Sequence, residues 1–419
     1  MARGSLCVGA AVAAAACGIV APLDGLSGGA AGVPEAGDTG VDAVGGDAPS
    51  DAARDVASDV VSDVVPAASC EAGLTACGAA CVELGSNGAS CGRCGHDCGG
   101  GICTGGVCQP YTLASGVDAP RALTVVGSTV YFTTHATSGS VSACSTGGCG
   151  SSPTILTSGV QQGAGIAVSG STIFFAAYGN SGDAGATLGN GVFACSIGGC
   201  VAGTPLASSP GNPVGVTTDG TLVYWNDSTL GQILSCAVGG CGGAPTVVTG
   251  GLSSPWYGVS VDATRAHVYW TDRGAGTVGS CDLPACAKGV QTLAANLSGP
   301  YDLALDATSV YFTSYDPSDP RNAASGSVQG CAVAGCSSGH TTFAAQAVTP
   351  SGIAVDGAGI YWANNGDGTV AYCPTSGCPS GGPTLLANQQ GGPFLVALDT
   401  AFVYWTNTSG GEVMKVAKP

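Results

Sequence analysis

Between Pro350 and Asn388 the apolar positions follow a strand-like rhythm. They alternate in Ile353-Ala-Val355, run together in Ile360-Tyr-Trp362, return in Thr369-Val-Ala-Tyr372 and close in Thr384 to Ala387, with Gly, Asn, Asp and Ser between the runs. Alternation argues a strand covered on one face, and a short continuous apolar run bounded by turn residues argues one covered on both. The pattern predicts four short strands joined by tight turns.

Residues 111–419 repeat this unit. Its aromatic signature returns as Tyr131-Phe132, Phe174-Phe175, Tyr224-Trp225, Tyr269-Trp270, Tyr311-Phe312, Tyr361-Trp362 and Tyr404-Trp405, at spacings of 43, 50, 45, 42, 50 and 43 residues. That period matches one four-stranded propeller blade, a unit that buries its apolar faces only against its neighbours. The expected fold is therefore all-β, a seven-bladed β-propeller. The seventh unit, 393–419, supplies only three runs. Tyr111-Thr-Leu-Ala-Ser115 reads like the closing run Pro383-Thr-Leu-Leu-Ala387, so an N-terminal strand is predicted to complete the last blade and close the ring.

The segment ahead of the repeats changes character twice. Met1 to Cys17 carries one basic residue, Arg3, and an apolar run from Leu6 to Ala16, too short to span a bilayer and suited to an export signal. Ala15-Ala-Cys17-Gly18 resembles a bacterial lipobox, which implies lipidation of Cys17 and a membrane contact through a lipid anchor only; Ala14 stands where that pattern has Leu, and simple cleavage with release is the alternative. Residues 18–69, rich in Ala, Gly and Asp with no aromatic residue, have the composition of a disordered acidic linker. The predicted domains are thus 1–17, 18–69, a Cys-rich module over 70–109 and the propeller over 111–419.

Twenty-two cysteines in a chain with export features imply disulfides. Eight fall between Cys70 and Cys108, in a stretch too short for a core of its own, so four bridges are expected to support it. Cys91-x-x-Cys94 with His96 could also offer zinc ligands, but the even count and the exported setting favour disulfides. Eight cysteines allow 105 pairings, among which the residues do not choose. Gly73-Leu-Thr-Ala-Cys77, Cys81-Val-Glu-Leu84 and Ser90-Cys-Gly-Arg-Cys-Gly-His-Asp-Cys98 resemble Cys-rich modules of myxobacterial surface proteins. Within the repeats, Cys-x4-Cys recurs in six units: Cys144 and Cys149, Cys195 and Cys200, Cys236 and Cys241, Cys281 and Cys286, Cys331 and Cys336, Cys373 and Cys378. Each brackets the predicted turn between third and fourth strands and can bridge it.

Tyr269-Trp-Thr-Asp272, with Tyr224-Trp-Asn-Asp227, Tyr361-Trp-Ala-Asn364 and Tyr404-Trp-Thr-Asn407, resembles the YWTD motif of low-density-lipoprotein-receptor-type propellers. The resemblance, also NHL-like in its repeat form, implies a propeller used for binding; that family has six blades and no Cys-x4-Cys turn. At one position per blade, the aromatic residues are expected to form core between blades.

Charge narrows the partners. Only 9% of residues are charged, at a net −17, and there is no cluster of Lys and Arg for phosphate, so nucleic acid is not an expected partner. Asp219, Asp262, Asp306, Asp356 and Asp399 repeat at the end of the first strand, where each serves the following turn. A ligand site needs residues that do not repeat, on the face built from loops leading into strand one and joining strands two and three. Those loops offer Arg121, Trp256, Tyr257, Tyr301, Asp302, Asp316, Asp319 and Arg321 as ligand-binding candidates, with Asp183 in another long loop. Asn364 to Thr369 reads both as an oxygen-rich loop and as a plain Gly-rich turn.

These features give the expectation of an exported, non-catalytic binding or scaffold protein, an outer-membrane lipoprotein or extracellular, recognising a surface glycan, peptide or protein without a cofactor or metal. The alternative is a hydrolase or lyase of the lactonase or streptogramin-lyase type. His135 is the one histidine beside the loop face, and Glu412 is the only Glu after residue 83, so acid–base groups are scarce.

Overall fold

The computed structural model describes residues 70–179, 188–200, 203–208, 211–316, 318, 325–336 and 339–419. The export signal, Cys17 and the acidic linker lie outside the described residues.

Seven four-stranded antiparallel sheets follow one another as blades: 120–160, 163–208, 213–249, 255–294, 300–347, 350–387, and 393–417 joined by Tyr111–Ala114. The last sheet is completed as expected. Val413 pairs with Ala114, Met414 with Thr112 and Lys415 with Tyr111, so a strand from the start of the repeats is the outermost strand of the final blade. The free sheet edge that would invite pairing with another chain is thereby occupied.

Burial tracks position within each blade. Second strands such as Leu222–Asp227 and Phe402–Asn407 are buried along almost their whole length because neighbouring blades cover both faces. Their Tyr and Trp residues, Trp225, Trp270, Trp362 and Trp405 among them, are the largest enclosed side chains. Outer strands such as Thr246–Thr249 are mostly exposed at their first residues. The repeated Asp residues cap turns: Asp219 Oδ1 accepts the amides of Thr221 and Leu222, both at 2.7 Å, and Asp306 and Asp399 do the same two and four blades on, with Asp356 between them. Asp219, Asp306 and Asp399 also accept the hydroxyl of the second-strand Tyr224, Tyr311 and Tyr404 at 3.0, 2.8 and 2.6 Å.

Blades are joined through one recurring contact. Each inner strand carries a register shift just after its first residue, as between Pro120 and Leu123 or Pro300 and Leu303, which takes backbone groups out of the ladder. In blade one the freed amide of Ala122 donates to Thr133 Oγ1 at 3.1 Å, and that hydroxyl donates to the carbonyl of Ala164 in blade two at 2.7 Å. Asp302 N, Thr313 Oγ1 and Ser351 O repeat the relay at 3.3 and 2.6 Å, and Asn226 performs it between Gly215 N and Gly258 O at 2.7 and 3.4 Å. Thr271 bonds Tyr301 O at 3.1 Å, and Thr406 closes the circle on Arg121 O at 2.7 Å. Blade six has Ala363 at the relay position, and Ser351 Oγ takes over, reaching Phe394 O at 2.7 Å. Glycine at the bulge permits this approach: a Cβ on Gly215 would overlap the Tyr257 carbonyl, and one on Gly352 would meet Leu395 Cα.

All six Cys-x4-Cys pairs are disulfides across the third-to-fourth-strand turn, each closing a loop whose chain-entropy contribution is about 2 kcal/mol. The module is held by Cys70–Cys81, Cys77–Cys94, Cys91–Cys103 and Cys98–Cys108, a connectivity that spacing left open. It does not rest on sulfur alone. Cys91, Cys98, Cys103 and Cys108 are buried in one apolar cluster with Tyr361, Val403, Trp405, Met414 and Val416 of blades six and seven. His96 spans the carbonyl oxygens of Cys91 at 2.7 Å and Lys418 at 2.8 Å. The ten bridges suit an oxidising, extracellular setting.

Because Thr406 closes the ring, Thr406→Val is expected to lower the unfolding free energy by about 1–3 kcal/mol, the cost of a buried carbonyl without its donor. Thr406→Ser should keep most of the loss from appearing. Denaturant unfolding followed by Trp fluorescence measures both, and equal stability of the Val variant and the parent chain would remove Thr406 from the closure.

Candidate functional site

In a four-stranded antiparallel blade, the loops leading into strand one and joining strands two and three lie at one end, and the disulfide turns lie at the other. The first end carries the variation. The residue after the bulge-side Pro or Gly of successive inner strands is Arg121, Ala164, Val214, Trp256 with Tyr257, Tyr301, Ser351 and Phe394. Large side chains thus enter from blades one, four, five and seven, against small ones from two, three and six.

These large residues meet across the channel. Arg121 Nε donates to Tyr257 Oη at 2.8 Å, a bond from blade one to blade four. The Arg121 guanidinium lies 3.8 Å from the Phe394 ring centroid and 5.5 Å from that of Tyr257. Tyr257 stacks on Tyr301 at 5.6 Å, and both present faces or edges to Phe394 at 5.4 and 5.9 Å. Tyr257, Tyr301 and Phe394 are buried and share a cluster with Ala164, Ala176 and Val214, so they form a plug across this end. Cation–π contacts of this kind gain strength as water is removed.

Above the plug lies a partly exposed rim. Arg273, the residue after the Tyr269-Trp-Thr-Asp272 motif, lies 5.2 Å from the Trp256 ring and 5.5 Å from the rings of Tyr301 and Tyr315. Tyr315 is 5.4 Å from Tyr301, and His135 is 5.4 Å from Tyr178 on the other side. Neither Arg121 nor Arg273 has a carboxylate partner among the described residues. Burial, with the Arg121 charge behind it, lowers the His135 imidazole to about 4, and its Nδ1 is enclosed without a hydrogen-bond partner. Burial raises the phenols of Tyr178 and Tyr315, so both remain neutral donors.

The structure therefore brings four of the sequence candidates together: Arg121, Trp256, Tyr257 and Tyr301. Tyr257 and Tyr301 lie in the plug beneath the accessible surface. Asp302 turns into the wall, where its two oxygens accept the amides of Leu303 at 2.9 Å and Ile353 at 3.1 Å. Burial raises its carboxyl to about 7 despite those two amides. Asp316 follows Tyr315 and caps its own turn at Ser318. Asp183, Asp319 and Arg321 lie outside the described residues. Sequence reasoning did not pick out Arg273 or Phe394. Phe394 occupies the ring position of Tyr301, a correspondence that alignment of the repeats contains, whereas nothing local marks Arg273.

Two other candidate sites resolve into local structure. Asp367 Oδ1 accepts both the amide and hydroxyl of Thr369, and Asn364 Nδ2 donates to that hydroxyl, so this loop is bonded to itself. The close sulfurs of Cys91, Cys98 and Cys108 belong to disulfides and offer no thiolate for a metal.

No family model matches the chain, and no curated protein matches it. Solved structures do. A catalytically inactive virginiamycin B lyase from Staphylococcus aureus, in complex with quinupristin, is 13% identical over 74% of this chain and 99% of its own, with a TM-score of 0.57. Hydrazine synthase of Kuenenia stuttgartiensis is 15% identical over 74% and 98%, and the WD40 β-propeller domain of Doa1 is 11% identical over 74% and 96%, both at a TM-score of 0.55. At these identities the likeness defines a class, the β-propellers, and goes no further.

Two buried groups should mark the mouth in a pH titration of stability. Asp302, raised in the fold, favours the native state while protonated; that contribution is lost as pH rises from about 4 to about 7. His135, lowered in the fold, contributes above its unfolded value near 6.5 and is lost as pH falls towards 4. Relative to the parent chain, Asp302→Asn should gain melting temperature from pH 5 to pH 8, and His135→Gln should gain it from pH 7.5 to pH 4.5. Parallel curves for parent and variants would contradict both assignments.

Proposed function

We propose that this chain is an exported, non-catalytic propeller that binds a surface glycan, peptide or protein at the aromatic mouth, and that a lipid on Cys17 tethers it to a membrane. The observation that carries the reading is the convergence of non-repeating residues at one end of an otherwise repetitive ring. Arg121, Arg273 and Trp256 are not repeated at their positions in the other blades, Tyr315 is matched only by Tyr178 of blade two, and a ring needs none of these side chains for its closure. Rigid aromatic groups beside unpaired guanidinium are the composition of a binding hot spot. The module's resemblance to Cys-rich surface modules and the lipobox-like Ala15-Ala-Cys17-Gly18 support a place at the cell surface.

Several observations weigh against the lyase or hydrolase alternative. The plug of Tyr257, Tyr301 and Phe394 fills the end of the channel where a reacting group would have to sit. His135 is the one imidazole at the mouth among the described residues, and at about 4 it is too weak a base to take a proton efficiently near neutrality. Asp302 spends both carboxyl oxygens on backbone amides.

Glycan and peptide arrays probed with the purified ectodomain should give binding without turnover, and Tyr315→Ala should weaken it by about tenfold, a loss of about 1.4 kcal/mol. Turnover of a bound ligand that disappears in His135→Ala would replace this reading with the enzymatic one. Separately, expression in a bacterium fed labelled palmitate should label the chain, and Cys17→Ser should abolish that label; an unlabelled parent chain would mean cleavage and release.

A further inference from the structure

Resting on the reading of the mouth as a binding site, we infer that its ligand is an acidic saccharide, engaged through a ring carboxylate by Arg121 and Arg273 while the sugar face lies on Trp256 and Tyr315.

The argument begins with the guanidinium groups. Arg121 commits Nε to Tyr257 and one face to Phe394, and among the described residues its two terminal nitrogens have no hydrogen-bond acceptor. Those terminal nitrogens form the fork that accepts a carboxylate through two parallel bonds. Stacking on Phe394 fixes the plane of the fork, so little rotamer freedom remains to be lost on binding. Arg273 stands over Trp256 and Tyr315 with no ion pair among the described residues. In a chain with 27 acidic and 10 basic residues, two cations on one apolar surface with no carboxylate paired to either among the described residues are a local reversal of charge.

The neighbouring acid does not cancel them. Asp302 is turned into the wall and bonded to the amides of Leu303 and Ile353, so its carboxyl does not face the forks. An anion is therefore the chemistry that completes the site.

The aromatic rim decides which kind. Trp256 and Tyr315 are partly exposed and lie 5.2 and 5.5 Å from the Arg273 guanidinium, so flat apolar rings and a cation share one rim. A pyranose offers C–H groups to such faces, and a hexuronic acid carries its carboxylate on the ring that stacks. A neutral sugar would leave both forks unpaired. A nucleic-acid phosphate would need a longer basic track than two arginines provide.

The test uses the purified chain with its disulfides intact, oligogalacturonates, and the same oligomers with their carboxyl groups reduced to alcohols. Titration calorimetry is expected to show binding of the acidic oligomers that weakens with added salt, and at least a tenfold loss for the reduced ones. Arg273→Gln should lose tenfold or more for the acidic oligomers while keeping the parent melting temperature; Arg121→Gln should do the same, and the Arg273 variant decides the matter if the Arg121 variant unfolds. Equal binding of acidic and reduced oligomers, or acidic binding untouched by Arg273→Gln, overturns the inference of an anion but leaves a glycan-binding mouth. Binding confined to peptides with a free C-terminal carboxylate overturns the saccharide while keeping the forks. No binding of any saccharide or peptide, with the fold intact, overturns the binding reading itself.

Discussion

In six of the seven blades one side chain bridges to the next blade; blade two has Ala176 at that position, and there Gly165 lies directly against the backbone of Val214 and Val216. A bulge at the start of each inner strand frees a backbone amide in the buried centre, where an unpaired donor is costly. In blade one the hydroxyl of Thr133 receives that amide and passes its own proton to the carbonyl of Ala164 in the next blade. The same group thus satisfies a local defect and measures the distance to the neighbour. Asn226 and Thr313 repeat the solution with slightly different geometry, and Thr406 applies it between the last blade and the first. In blade six, where Ala363 stands at the relay position, the hydroxyl of Ser351 on the inner strand makes the contact instead, so the bridge to the next blade is kept while its position changes.

That constraint also sorts the molecule into two ends. The turns that close each blade, with their Asp caps and disulfides, lie on one end and are near copies of each other. The bulges place the first residues of the inner strands at the other end, pointing towards the axis, where seven different side chains can meet. Arg121 reaches Tyr257 across the ring because the relay has already brought blades one and four to facing positions. The mouth is specific to this chain because it is built where the repeat is free to vary.

The Cys-rich module adds a second kind of closure. Its buried sulfurs pack on Trp405, Met414 and Val416, and His96 reaches the carbonyl of Lys418, the residue before Pro419. Lys418 itself bonds Asp356 Oδ2 and the carbonyl of Asp399, tying the turn ends of blades six and seven. The blade completed by an N-terminal strand is therefore also the blade the module covers. Gly99 lies against Phe402 of that blade so closely that a Cβ would overlap the ring, and its positive φ of 60° suits the same residue.

Much of this architecture was legible in the residues. The aromatic pairs gave the number of blades because each pair must be covered on both faces, and Tyr111 to Ala114 announced the closing strand by matching the outer runs. The Cys-x4-Cys spacing sufficed for six bridges, since a hairpin turn leaves each cysteine one partner in reach. The eight cysteines of the module had no such local geometry, and their pairing emerged only from the folded stretch. Arg121, Trp256, Tyr257 and Tyr301 stood out because they break the repeat. Their bonding, the burial of two of them, and the arrival of Arg273 and Phe394 depend on which blades face each other across the axis. Strand pairing and turn closure are local and periodic, so the sequence by itself determined them; contacts across the channel join residues more than a hundred positions apart, and only the closed ring decided those.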